Sequence, residues 1–142
     1  MAELKKGHDR RRELSDGEIK KANIHCRSKP ADLAGCKLFI VAVPTPVDHF
    51  HVPDLGAMEN ASAIIGRHLT AGSCVVYEST VYPGVTEDIC VPILERESTL
   101  KLGRDFTVGH SPARINPGDK VHTVITTVNI TSASDAETLN LL

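Results

Sequence analysis

Apolar positions are scattered among charged ones through the first thirty or so residues, where Gly7-His8-Asp9-Arg10-Arg11-Arg12 breaks any periodicity. That stretch cannot build a core alone. Ser15 and Glu18 stand at the spacing of a capping box, so a short helix through Ile19 and Ala22 is expected, followed by a brief extended run Asn23-Ile24-His25-Cys26. From Lys37 the pattern changes. Leu38-Phe39-Ile40-Val41-Ala42-Val43 is unbroken, rich in β-branched residues and closed by Pro44, and hydrophobicity without alternation predicts a strand buried on both faces of a parallel sheet.

Beyond a polar loop, Asp54 is placed to cap a helix whose Leu55, Met58, Ser62, Ile65 and Leu69 recur at helical spacing until Gly72 ends it. Ser73-Cys74-Val75-Val76-Tyr77 reads as the next strand. After the turn at Pro83-Gly84, a second helix is predicted from Thr86 through Glu95, with Pro92 kinking it or dividing it in two. Phe106-Thr107-Val108-Gly109 reads as a short strand, Val121 to Ile130 as extended structure, and Ser134 to Leu142 as a helix. Strand, helix, strand, helix, strand is the alternation of an α/β fold with a parallel sheet and right-handed crossovers.

Composition narrows the possibilities. The 142 residues suffice for one domain, and 41% hydrophobic residues with a net charge of −2 give no electrostatic footprint for nucleic acid or an anionic membrane. No run approaches the ~20 apolar residues of a membrane span, and Met1-Ala2-Glu3-Leu4-Lys5-Lys6 is followed by no signal-peptide core, so a cytoplasmic location is expected. Cys26, Cys36, Cys74 and Cys90 form no CxxC pair and read as reduced thiols. His49 and His51 flank Phe50 in a polar loop, but no further ligand is placed by spacing, so no metal is expected.

In parallel α/β sheets ligands sit at the carboxyl ends of strands, where loops diverge and helix N-termini point free N–H groups at the opening. Three segments fall there: Val43-Pro44-Thr45-Pro46, then Tyr77-Glu78-Ser79-Thr80-Val81-Tyr82-Pro83-Gly84, then Ser111-Pro112-Ala113-Arg114-Ile115-Asn116-Pro117-Gly118-Asp119. Each alone reads as a strand-end turn. In this order they resemble the signature segments of the UDP-glucose/GDP-mannose dehydrogenase family, particularly the branch acting on UDP-N-acetylhexosamines.

That resemblance implies a partial Rossmann-like, doubly wound parallel sheet lacking the first strands and the Gly-rich turn. It implies an enzyme that uses NAD to oxidise C6 of a UDP-N-acetylhexosamine to the uronic acid. Val43, Pro44, Thr45, Glu78, Ser79 and Thr80 would line the NAD site, Thr80 would lie beside the nicotinamide and the reacting carbon, and Arg114 and Asn116 would approach the UDP-sugar. A threonine hydroxyl suits its place because it both donates and accepts. Glu87 and Asp88, in the first turn of their helix, would repel an incoming phosphate, so the pyrophosphate is not expected there.

The chain also departs from the family pattern. Ala113 stands where a glutamate is usual, and a methyl group neither takes a proton nor orients a water. His110 replaces an aromatic tyrosine, and Ala133 a glycine, where an added Cβ is expected to crowd a cofactor or neighbouring strand. The GxGxxG turn and the motif of the nucleophilic cysteine are absent from these residues.

The expected organisation is therefore a partial NAD-binding domain over 1–142: a polar, loosely packed part at 1–34, an α/β core at 35–130 and the start of a truncated helix at 131–142. The chain reads as an internal segment that binds NAD weakly and is inactive alone. The alternative is a non-catalytic remnant or a small α/β nucleotide-binding or interaction module. An open sheet edge at Leu38 to Val43 would invite self-association.

Overall fold

The computed structural model of the chain describes residues 15–22, 24–112, 114 and 127–142. Helix α1, Asp16–Lys21, starts where the Ile19 amide bonds the Ser15 carbonyl at 3.1 Å, and it buries Ile19. The side chain of Glu18, the other half of the expected capping box, lies outside the described residues, as does Asn23. Residues 24–26 are not a strand, and Ile24 is 60% exposed. An extended run needs a ladder partner, and none flanks this one among the described residues. A 3-10 turn at Pro30–Leu33 follows, and Leu33 and Cys36 pack against the core.

Strands β1 (Leu38–Val41), β2 (Ser73–Tyr77) and β3 (Phe106–His110) pair in parallel, with Val41, Tyr77 and His110 in register. Strand β4, Ser132–Ala133, joins the outer edge of β3 antiparallel, a pairing the sequence pattern did not predict. The extended segment expected at Val121–Ile130 falls largely outside the described residues. Ala133 does not crowd its neighbour, because it pairs with Gly109, which offers no side chain on that face. Across the sheet, Leu142 closes over Gly109 so tightly that an added Cβ would lie 2.6 Å from its Cδ1.

The crossovers carry α2, Gly56–Gly66, and α3, Val91–Ser98. Asp54 acts at the start of α2, but one residue further out than expected: Leu55 is the capping position, and the Asp54 carboxylate accepts from Gly56 N at 2.9 Å. The helix also ends early, at Gly66 rather than Gly72, although Leu69 stays buried beyond it. The break in the second helix is as the proline dictates. Val85–Cys90 forms a π-helical turn and Pro92 sits in the first turn of α3, where its missing N–H costs nothing. Helix α4, Ala136–Leu141, is capped by Asp135, whose carboxylate accepts from Thr138 N at 2.8 Å.

The two crossovers step the same way, so right-handedness puts α2 and α3 on one face. There Phe39, Val41, Val75, Tyr77, Phe106 and Val108 meet Met58, Ile65, Val85 and Leu94. Gly66 allows the helices to touch, since a Cβ there would come within 2.7 Å of Glu97 Cβ. The expectation of a first strand buried on both faces is not met: Phe39 and Val41 are buried, while Leu38 and Ile40 are 46% and 58% exposed. Of these strands only β2 is buried throughout; β3, flanked by β2 and the two-residue β4, keeps two half-buried positions.

Candidate functional site

Because β1, β2 and β3 run parallel, the loops leaving their carboxyl ends emerge along one rim. Short hydrogen bonds tie the first two together. The Ser79 hydroxyl accepts from Val43 N at 3.0 Å and donates to the Val43 carbonyl at 2.7 Å. Strand β1 therefore ends at Val41 rather than at Val43, as Val43's polar groups have turned to a side chain. Two residues on, Thr45 Oγ1 donates to the Thr80 carbonyl at 2.8 Å. The third loop joins through Ser111 N, which bonds the Tyr77 carbonyl at 3.0 Å.

These contacts bring together the residues singled out in the first two segments, and they sort them by task. Ser79 is buried and its hydroxyl is spent on Val43, so it braces the rim. Thr45 and Glu78 are half-buried, while Pro44 and Thr80 are exposed. Thr80 gives only its carbonyl to the brace; its hydroxyl makes no bond among the described residues and is available to a ligand. Arg114 is exposed beyond Ser111 and Pro112. Ala113 and Asn116 lie outside the described residues. Sequence reasoning missed the brace itself, and the one signal for it was a serine next to a threonine just past a strand end.

The start of the π turn carries Glu87 and Asp88, the acidic side chains expected in its first turn. Gly84 turns at φ +95, and Asp88 Oδ2 would stand 2.8 Å from a Cβ at that glycine, so a carboxylate already occupies the helix mouth. The loop between Val47 and Pro53 is a bridged turn in which Asp48 Oδ1 accepts from Phe50 N and Val52 N, with His51 at φ 61 and the His49 ring tilted at 42° against that of Phe50, their centroids 3.8 Å apart. No metal-binding group of three or more His, Cys, Asp or Glu side chains occurs among the described residues. All four cysteines are free, Cys74 and Cys90 being buried.

A cavity of ≈550 Å³ opens at the other end of the sheet, between α4 and the amino ends of β2 and β3, bordered by Gly72, Cys74, Arg104, Thr107 and Thr138. Its size does not make it the site. None of the rim residues borders it, and ligands of such sheets bind where strands end rather than where they begin.

Comparison with known proteins follows the same rim. Residues 12–140 match the NAD-binding domain of the UDP-glucose/GDP-mannose dehydrogenase family. The chain is 47% identical over 142 residues to Protein CapL of Staphylococcus aureus, covering 100% of this chain and 34% of that protein. It is 46% identical over 143 residues to the UDP-N-acetyl-D-glucosamine 6-dehydrogenase of Pseudomonas aeruginosa, again 34% of whose length is covered. The chain thus spans about a third of the length of these relatives.

In three dimensions it is similar to a UDP-D-ManNAc dehydrogenase from Pyrococcus horikoshii, with a TM-score of 0.70 and 30% identity over 82% of this chain and 29% of that one. It is also similar to the NDP-N-acetyl-D-galactosaminuronic acid dehydrogenase of Methanosarcina mazei Go1, with a TM-score of 0.67 and 33% identity over 72% of this chain and 22% of that one. The sheet is the Rossmann-like α/β arrangement of nucleotide-sugar dehydrogenases. No helix among the described residues is long and apolar enough to cross a membrane. The strand-end motifs, the parallel sheet that brings the first two and the start of the third to one rim, and the match over 12–140 together place the chain in the UDP-glucose/GDP-mannose dehydrogenase family, within its NAD-binding domain.

Proposed function

We propose that this chain supplies the nicotinamide-facing wall of a cytoplasmic dehydrogenase that oxidises C6 of a UDP-N-acetylhexosamine to the uronic acid. The observation that carries this reading is the bond from Thr45 Oγ1 to the Thr80 carbonyl, which holds two motif loops side by side and leaves the Thr80 hydroxyl free. Relatives that are a UDP-N-acetyl-D-glucosamine 6-dehydrogenase and a UDP-N-acetyl-D-mannosamine dehydrogenase supply the substrate class.

The residues present fit the nicotinamide end of NAD better than its pyrophosphate. Pro44, Thr45 and Thr80 offer a rigid, partly apolar edge, whereas Asp88 closes the helix mouth and no GxGxxG turn occurs in the 142 residues. Bound NAD would supply the hydride acceptor. Around it, Val43, Pro44 and Thr45 would set the position of the ring, with Glu78 behind them. Ser79 would keep that edge stiff. The Thr80 hydroxyl would hold the reacting hydroxyl or a water by both accepting and donating. Arg114 and Asn116 would approach the charged part of the UDP-sugar.

On its own the chain is proposed to bind NAD weakly and to turn nothing over. Ala113 provides no carboxylate, and none of the four cysteines lies in the family's nucleophile motif. Mixing the protein with NAD and UDP-N-acetylglucosamine and following absorbance of the reduced nicotinamide tests this directly. Flat absorbance together with calorimetric NAD binding is the expected result, and turnover would overturn the inactivity. A second reading, a small α/β module that pairs with itself, is favoured by one observation: Leu38 and Ile40 stand exposed on an edge strand.

A further inference from the structure

Strand β3 ends on His110, whose Nδ1 is shielded from solvent and has no hydrogen-bond partner among the described residues. Against the same residue opens a cavity of ≈260 Å³ between β3, β4 and the π turn, with Leu102, Val108 and Ala133 as its apolar wall and Thr86 and Glu87 across from them. A proton on Nδ1 would bury a donor with nothing to receive it, so the neutral ring carries its proton on Nε2. Nε2 makes no bond to the described residues either. Nε2–H is therefore the donor that the ring offers, and it has no partner among the described residues.

The occupant must accept a hydrogen bond and is not an anion, since the Glu87 carboxylate shares the cavity and would repel a phosphate or carboxylate. The volume is below the roughly 300–1,000 Å³ of pockets that enclose a whole ligand, so it suits one substituent. The apolar wall shares the cavity with the imidazole N–H and with the hydroxyls of Thr86, Ser132 and Ser134, a mixed lining that suits a group with a methyl at one end and a carbonyl at the other.

We propose that the cavity receives an acetamido group, with its carbonyl oxygen accepting from His110 Nε2–H and its methyl on Leu102 and Val108. That the group belongs to a hexosamine rests on the substrate reading above; the chemistry of the cavity does not. Loss of the donor would weaken acetamido binding roughly 2- to 12-fold, the range of one net hydrogen bond.

Titration of the ¹⁵N-labelled 142-residue chain with N-methylacetamide tests the cavity alone. Shifts at His110 Nε2, Leu102 and Val108 are expected, those at Leu102 and Val108 being lost in His110→Phe and retained in His110→Gln, which keeps an N–H. No shifts at these residues in the unsubstituted chain, or shifts that survive in His110→Phe, would overturn the proposal, and the first outcome needs no variant to fold. UDP-N-acetylglucosamine is then compared with UDP-glucose. A preference for the first that shrinks in His110→Phe supports the sugar as the source, and equal binding overturns that assignment. N-methylacetamide binding with no binding of either nucleotide sugar would keep the acetamido site and reject the substrate reading.

Discussion

The Ser79 hydroxyl satisfies both backbone groups of Val43, accepting from its N–H at 3.0 Å and donating to its carbonyl at 2.7 Å. One side chain thus does the work of a short ladder between two loops. Ser79→Ala would strand a donor and an acceptor in a place with little access to water, at a cost of about 1–3 kcal/mol each where no water replaces the hydroxyl. Urea denaturation should show a lower midpoint with unchanged m. An unaltered midpoint would show that the brace contributes nothing.

A second buried pair lies behind the rim. Ser62 Oγ on α2 and Tyr77 Oη at the end of β2 are 2.7 Å apart, both wholly buried, beside the buried Cys90. Burial pushes the Tyr77 phenol far above its ordinary value and raises the Cys90 thiol as well. Tyr77→Phe should cost about 1–3 kcal/mol because Ser62 loses its partner, while Tyr77→Phe with Ser62→Ala should cost less than the two singles summed. In alkaline titration, the tyrosinate absorbance of one of the two tyrosines should rise only as the fold is lost. Strict additivity would show that the pair is not coupled.

Thiol accessibility offers a count. Cys26 and Cys36 are half-buried and Cys74 and Cys90 buried, so Ellman's reagent should find two prompt thiols and two that react only on unfolding. Four prompt thiols would contradict the core.

Acid should loosen the structure before it reaches the apolar core. The Thr138 backbone N–H holds the Asp135 carboxyl below its ordinary value, the Arg104 guanidinium does so for Asp105, Lys101 for Glu95 and Arg67 for Glu97. A carboxyl lowered by folding stabilises the native state above its unfolded value and surrenders that stability as pH falls through the folded one. Stability should therefore decline from about pH 5 downward. Because the ion pairs among these lie at the surface, with half-buried carboxylates and exposed basic partners, added salt should flatten the slope. Constant stability into strong acid would refute their role.

Much of this architecture was legible in the residues. The β-branched runs at Leu38 and Ser73 became parallel strands, and Pro92 divided the second helix, because those signals are local. What could not be read depends on partners far along the chain. Leu38 and Ile40 are as apolar as Phe39 and Val41, yet only direct knowledge of crossover direction tells which pair finds a helix over it. Likewise Ser79 has the look of any turn serine until Val43, thirty-six positions earlier, is brought beside it. Ile24 shows the converse, an apolar residue in an expected extended run that bonds only locally, to the Ala22 carbonyl, and has no ladder partner among the described residues.

The open edge has its own consequence. Ile40 is 58% exposed on a strand whose outer side is unpaired among the described residues, so self-association through β1 is expected. Ile40→Lys should shift the protein toward monomer in sedimentation velocity, since a charge there disfavours pairing. A monomer at high concentration without the substitution would exclude this mode.

Mapping NAD onto the ¹⁵N spectrum tests the central claim most directly. The account predicts that NAD perturbs the amides of Val43, Thr45, Glu78, Ser79, Thr80 and Ser111 as one group, leaving Gly72 and Asp105 at the opposite strand ends unmoved. Perturbations clustered at that opposite end, or none at millimolar NAD, would contradict it.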